Sequence, residues 1–83
     1  MALTYKIKNF DEDGSGNVLV GFEVHDDSDG AVLFIDKAIV KGSKNDESIT
    51  EEAYNESQTQ VNAWAASRTN VGKTWNPSSK KLS

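Results

Sequence analysis

The 83-residue chain has no cysteine, a single histidine and a single proline. Without cysteine, neither a disulfide framework nor a thiolate zinc site can staple so short a chain, and the fold must rest on packing or on assembly. The one histidine, His25, has no Cys and no well-placed Ser beside it, which excludes a nucleophilic triad or a zinc centre built within one chain. Long hydrophobic runs are missing too. The longest, residues 31–35, is far too short for a membrane span or a signal-peptide core, so synthesis in a cytoplasm without export by a signal peptide is expected. A chain this short makes one domain and buries only about 60% of its unfolded surface, which leaves room for stabilisation by partners.

Acid is absent from the C-terminal third. All 13 Asp and Glu lie at or before Glu56, while residues 57–83 carry Arg68, Lys73, Lys80 and Lys81 with no carboxylate. Residues 1–56 therefore sum to −8 and the remainder to +4. Two ends of opposite sign can attract each other within a monomer or between copies set head to tail. The net charge of −4 argues against nonspecific phosphate binding, the basic tail being a local exception, and nucleic acid is not the expected partner.

Leu3, Tyr5 and Ile7 alternate with Thr4, Lys6 and Lys8, the period of a strand with one wet face, and predict a strand over about 3–10. An acidic Gly-Ser-Gly loop follows, and Val18, Val20, Phe22 and Val24 alternate through a second strand, about 17–25. A second turn, residues 26–30, leads to a branched and aromatic run that predicts a third strand, about 31–40. Facing Phe10 with Asn17 pairs Tyr5 with Phe22 and Leu3 with Val24; facing His25 with Gly30 sets Leu33 opposite Phe22. One face of the resulting meander is continuously apolar.

Ser48 followed by Glu51 fits a capping box, and Ile49, Ala53, Tyr54, Ser57, Val61, Trp64, Ala65 and Arg68 recur at helical spacing. One amphipathic helix, about 49–68, is expected across the apolar sheet face, with Glu51, Glu52 and Glu56 near its start and Arg68 at its end complementing the dipole. Some of the charge polarity is thus helix design. Residues 69–83 show no period and read as an extended arm that docks through Val71 and Trp75, its last residues mobile. The expected fold is α+β: a β-β-β-α domain over residues 1–68 and a C-terminal arm.

Few constellations carry chemistry. The loop Asp11-Glu12-Asp13-Gly14-Ser15-Gly16-Asn17-Val18 resembles the first eight positions of an EF-hand loop, with Asp11, Asp13 and Ser15 on liganding positions. Its twelfth position is Phe22, where a bidentate Glu is needed, so only a weak, open calcium site is expected. Gly72-Lys73-Thr74 matches the end of a phosphate-binding loop, but Ser67 replaces the first glycine and no strand precedes it. Asp26, Asp27 and Asp29 sit on a turn without apolar walls to raise a pKa. Catalysis and a cofactor are not expected.

The sheet's other face is the more useful anomaly. The pairing above brings Leu19, Val32 and Phe34 together there, where a single helix cannot cover them. Either the chain's own arm or another subunit could, and the open sheet edges offer strand addition as a second route. With its "LTYKIKNF", "VLVGFEV" and "AVLFIDKAIV" strands and its "YNESQTQVNAWAASR" helix, the chain resembles, in layout, the small accessory proteins of tailed bacteriophages. That resemblance implies a minor component of a head, neck or tail, made in the host cytoplasm and then held in the particle. The expected function is a non-enzymatic structural or accessory subunit, oligomeric in its working setting, that binds copies of itself or a larger protein. Trp75 would anchor the contact, with Lys73, Lys80 and Lys81 meeting an acidic surface such as the turns at Asp11 and Asp13 and at Asp26 and Asp29, and Leu19, Val32 and Phe34 forming a second surface. The alternatives are an acidic inhibitor of a host nucleic-acid-binding protein and a weak calcium-binding module.

Overall fold

The computed structural model describes residues 2–83. Three strands, β1 (Leu3–Glu12), β2 (Asn17–Asp26) and β3 (Val32–Val40), form an antiparallel meander in chain order. A 22-residue helix, α1 (Asp46–Ser67), returns across it and runs into a 3-10 turn, Arg68–Asn70. Two short strands, β4 (Trp75–Asn76) and β5 (Lys81–Leu82), then pair as a separate hairpin. The α+β meander with one helix is the architecture that the alternating and helical periods imply.

The β2–β3 register, and the β1–β2 register up to Ile7, differ by two residues from the sequence pairing; beyond Ile7 the difference is three, Phe10 facing Val20. Tyr5 faces Val24 and Ile7 faces Phe22, while Val24 faces Leu33 and Phe22 faces Ile35. A two-residue slip preserves the pleat, so the same side chains stay on the same faces. The slip arises because the first turn is tighter than its run of turn-forming residues and the second is displaced towards β3, where His25 faces Val32 and not Gly30. Glu12 already pairs with Val18, and Asp26 closes the second turn by donating to Ala31 O at 2.9 Å. Gly16 makes the first turn possible at φ 86°, a left-handed conformation that favours glycine.

β1 also carries a bulge at Lys8, between Ile7 and Asn9. The extra residue inverts the alternation, so Phe10 joins Leu3 and Tyr5 on the core face in place of pointing to solvent. The three-residue interval from Ile7 to Phe10 is the sequence trace of that inversion.

The core consists of Val18, Val20, Phe22 and Val24 from β2, Ile35 and Ile39 from β3, and Ile49, Ala53 and Val61 from α1. Buried α1 positions recur every four residues, and two of them are small: Ala53 and Ser57. Their size lets the helix approach the sheet closely. The buried Ser57 hydroxyl donates to Tyr54 O at 2.9 Å, so it leaves no unsatisfied polar atom in the core.

The N-cap lies three residues before the expected one. Asn45, not Ser48, is the N-cap; its Oδ1 accepts from Ser48 N at 2.8 Å, and Ser48 lies in the first turn beyond Asp46 and Glu47. Polar residues at the start of the helix carry no hydrophobic period, which hid this first turn from the sequence pattern.

At its far end α1 is clamped to the β2–β3 turn. Arg68 Nε donates to Asp26 Oδ2 at 3.3 Å, a second Arg68 nitrogen donates to Asp29, and the guanidinium lies 5.2 Å from the Trp64 ring centre. Asp26 is buried, and its other oxygen accepts from Ser28 Oγ at 2.6 Å and Ser28 N at 3.0 Å. These bonds hold the Asp26 carboxyl below its ordinary pKa, the Ser28 hydroxyl first and Arg68 after it. Asp26 is therefore a structural tie, which the sequence reading placed on an open turn.

Candidate protein-binding surfaces

The C-terminal segment is built as a hairpin of its own. Thr74 and Ser83 exchange backbone hydrogen bonds of 3.1 and 3.0 Å beside the Trp75–Leu82 and Asn76–Lys81 pairs. Asn76 shapes the turn: its Oδ1 accepts from Ser78 N at 2.9 Å and Ser79 N at 3.3 Å. The residues expected to be mobile thus supply the second strand of this hairpin. Lys80 adopts φ 56°, a left-handed position that directs the chain into β5.

Every residue of 69–83 is exposed. Trp75 is 55% exposed and Val71 62%, and Leu82 stands beside Trp75 across the strand pair. The longest dimension of the molecule is 57 Å, whereas a 22-residue helix accounts for about 33 Å. The hairpin therefore projects beyond the body and does not fold back over either sheet face. It offers an aromatic and aliphatic surface flanked by Lys73, Lys80 and Lys81, none of which has an ion-pair partner among the described residues.

On the open sheet face the observed register separates the expected apolar residues. Leu19 lies opposite Ala38, Phe34 opposite Glu23 and Val32 opposite His25. Leu19 and Phe34 stand about 13 Å apart along the strands, at the usual rise per residue. Between them runs a polar belt: Asn9 Nδ2 donates to Leu19 O at 3.3 Å, and Lys8 pairs with Asp36 at 3.7 Å while lying 5.4 Å from the Phe34 ring centre. Leu19, Val32 and Phe34 are exposed, at 40%, 38% and 59%, but they form two small apolar spots and not one patch.

Gly21, at the centre of this face, is buried under the belt. A Cβ there would fall on Asn9 Oδ1 and come within 2.5 Å of Asp36 Oδ1. Its backbone is ordinary, so the glycine serves to make room for those two side chains.

A third surface was not foreseen. α1 lies over β3 and β2, and a helix about 10 Å wide cannot also cover a third strand. It reaches β1 through side chains: Gln58 Nε2 donates to Tyr5 Oη at 3.1 Å, and Tyr54 meets Tyr5 edge-on with centroids 4.9 Å apart. Beyond them a groove of about 580 Å³ opens between β1 and the start of α1, floored by Tyr5, Ile7, Phe22 and Tyr54. Asp46, Glu47 and Glu51 form its rim. The signal available in the sequence was Ile7 and Tyr54, both apolar by period and both on elements at the margin of the packed layer.

Loops place the charges at opposite ends. Lys41 N donates to Gly16 O at 2.9 Å, so the acidic β1–β2 loop and the start of α1 share one end, while Arg68 holds the end of α1 to the β2–β3 turn at the other. Asp11, Asp13, Asp46, Glu47 and Glu51 gather at the first end without an ion-pair partner among the described residues. The basic hairpin leaves from the second. Asp26 and Asp29, expected acceptors for the arm's lysines, are already taken by Arg68.

Asp13 turns inward. Its Oδ1 accepts from Ser15 N at 2.8 Å and Asn17 N at 3.2 Å, and these bonds, Ser15's first, hold its carboxyl below the usual carboxylate pKa. One oxygen of the best calcium-ligand candidate is thus committed to shaping the loop. No cluster of three or more His, Cys, Asp or Glu stands at metal-binding spacing among the described residues, and no helix there is long and apolar enough to cross a membrane. No family model matches the chain, and comparison with curated proteins and with solved structures gave no significant match.

Proposed function

We propose that this chain is a non-enzymatic structural or accessory subunit that attaches to protein through its C-terminal hairpin. The observation that carries this reading is the hairpin itself: a strand pair, clear of the body, presenting Trp75 and Leu82 between lysines that have no ion-pair partner among the described residues. An aromatic anchor ringed by charge is the composition of a binding hot spot with a steering rim. The resemblance in layout to small accessory proteins of tailed bacteriophages is the reason a particle head, neck or tail, reached from the host cytoplasm, is the setting we favour.

Sedimentation of the full chain and of a chain ending at Asn70, across concentration, tests the reading. Stopping at Asn70 keeps Arg68 and its clamp. Assembly that vanishes with the hairpin supports a strap between subunits. Assembly that survives its removal refutes the role of the hairpin, and a monomer in both cases leaves a larger protein as the partner.

A further inference from the structure

We propose that the groove between β1 and the start of α1 is the receptor for the C-terminal hairpin of a second copy of this chain. This rests on the reading of the hairpin as a binding element and names what it binds. Two properties match. The groove has an apolar floor in which Ile7 is 49% and Tyr54 40% exposed, and a rim of three carboxylates. The hairpin has an apolar face, Trp75 and Leu82, and three lysines. Every charge in both sets lacks an ion-pair partner within its own chain among the described residues. The groove is open to solvent, and a volume of about 580 Å³ leaves room for one indole lying beside a neighbouring aliphatic side chain.

The structure holds the chain's own hairpin away from the groove. Even Tyr54, the groove residue nearest the end of α1, is about 21 Å of helix from Arg68. From Asn70 to Trp75 the chain spans at most about 18 Å even when fully extended, and the hairpin points onward along the long axis. The arm therefore meets the groove of a neighbour. Two copies lying antiparallel would exchange both arms and close as a two-fold pair; a staggered parallel arrangement would continue as a chain of subunits.

The test is a charge exchange read by sedimentation on the full chain. One variant carries Glu47→Lys and Glu51→Lys, so that groove and hairpin are both basic; the other carries Lys80→Glu and Lys81→Glu, so that both are acidic. All four positions are exposed, and folding is checked by circular dichroism. The unmodified chain is expected to associate, and each variant alone to associate about tenfold more weakly or worse, whereas their mixture regains the unmodified affinity. Raising salt should weaken the unmodified pair and the mixture alike. Trp75→Ala should abolish association whatever the charges. Arm-dependent assembly with no effect of either reversal, or no recovery on mixing, overturns the groove as receptor and leaves the hairpin's role standing. Assembly indifferent to hairpin removal overturns both. A full chain monomeric at about 1 mM overturns docking between copies.

Discussion

Gly21→Ala is the perturbation whose outcome the structure specifies most tightly, because its sign should depend on a residue twelve positions away in sequence. Gly21 has ordinary backbone angles, so alanine meets no conformational strain and would stabilise the strand by about 0.5–1 kcal/mol through a less flexible unfolded chain. Against that, the new methyl group occupies the place of Asn9 Oδ1. Asn9 must rotate away, which breaks its 3.3 Å bond to Leu19 O and costs about 0.5–1.5 kcal/mol. Asp36 must also swing outward, which loosens its exposed 3.7 Å pair with Lys8 and costs about 0–1 kcal/mol. The net expectation is a loss of about 1 kcal/mol, or about 5 °C in melting temperature for a domain this size. With Asn9 already replaced by Ala the obstruction is gone, and Gly21→Ala should become neutral or stabilising. Urea unfolding of the four proteins of this cycle gives the coupling directly, expected at about 1–2 kcal/mol. Equal destabilisation by Gly21→Ala in both backgrounds would refute the crowding argument and point to backbone geometry.

Other expectations are checked by the same unfolding measurements. Ile49→Ala removes a fully buried side chain and should cost about 2–5 kcal/mol, whereas Tyr54→Ala, at the groove margin, should cost much less. Asn45→Ala should cost about 1 kcal/mol and Ser48→Ala little, the reverse of what a capping box at Ser48 requires. Arg68→Met leaves Asp26 buried without its cation and should lower the melting temperature clearly, and Arg68→Lys should not restore it, because one ammonium cannot reach both Asp26 and Asp29 as the fork does. Asp13 and Asp26 have lowered pKa values in the folded chain. Their contribution is therefore complete above the ordinary value of 3.8 and disappears as pH falls below it through the folded values; Asp26→Asn should flatten that acid limb of the stability profile. Millimolar calcium should leave the melting temperature unchanged, since Asp13 is engaged with the loop's amides; a rise would restore the calcium reading of Asp11, Asp13 and Ser15.

Alternation made the meander legible, and the four-residue recurrence of Ile49, Ala53, Ser57 and Val61 made the helix legible, because both periods record burial against one surface. Register was less visible. It depends on how many residues each turn consumes, and Glu12 and Asp26 are drawn into strands although their side chains are typical of turns. That displacement of two residues separates Leu19 from Phe34, so the expected patch was a product of the pairing and not of the composition. Trp75 and the lysines of the tail were readable as candidate contact residues, but the hairpin that carries them rests on Asn76 and on a left-handed Lys80, which leave no periodic trace. The groove was hidden for another reason. It exists because one helix is narrower than three strands, a property of the assembled layers that no single segment carries.

No residue after Val61 is among the buried ones, and the hairpin contributes nothing to the core. The fold therefore places no packing demand on residues 71–83, and substitutions there leave the stability of the body as it was. On the function proposed above, such substitutions would change affinity or partner without placing the fold at risk, and changes that stabilise the body would leave binding untouched.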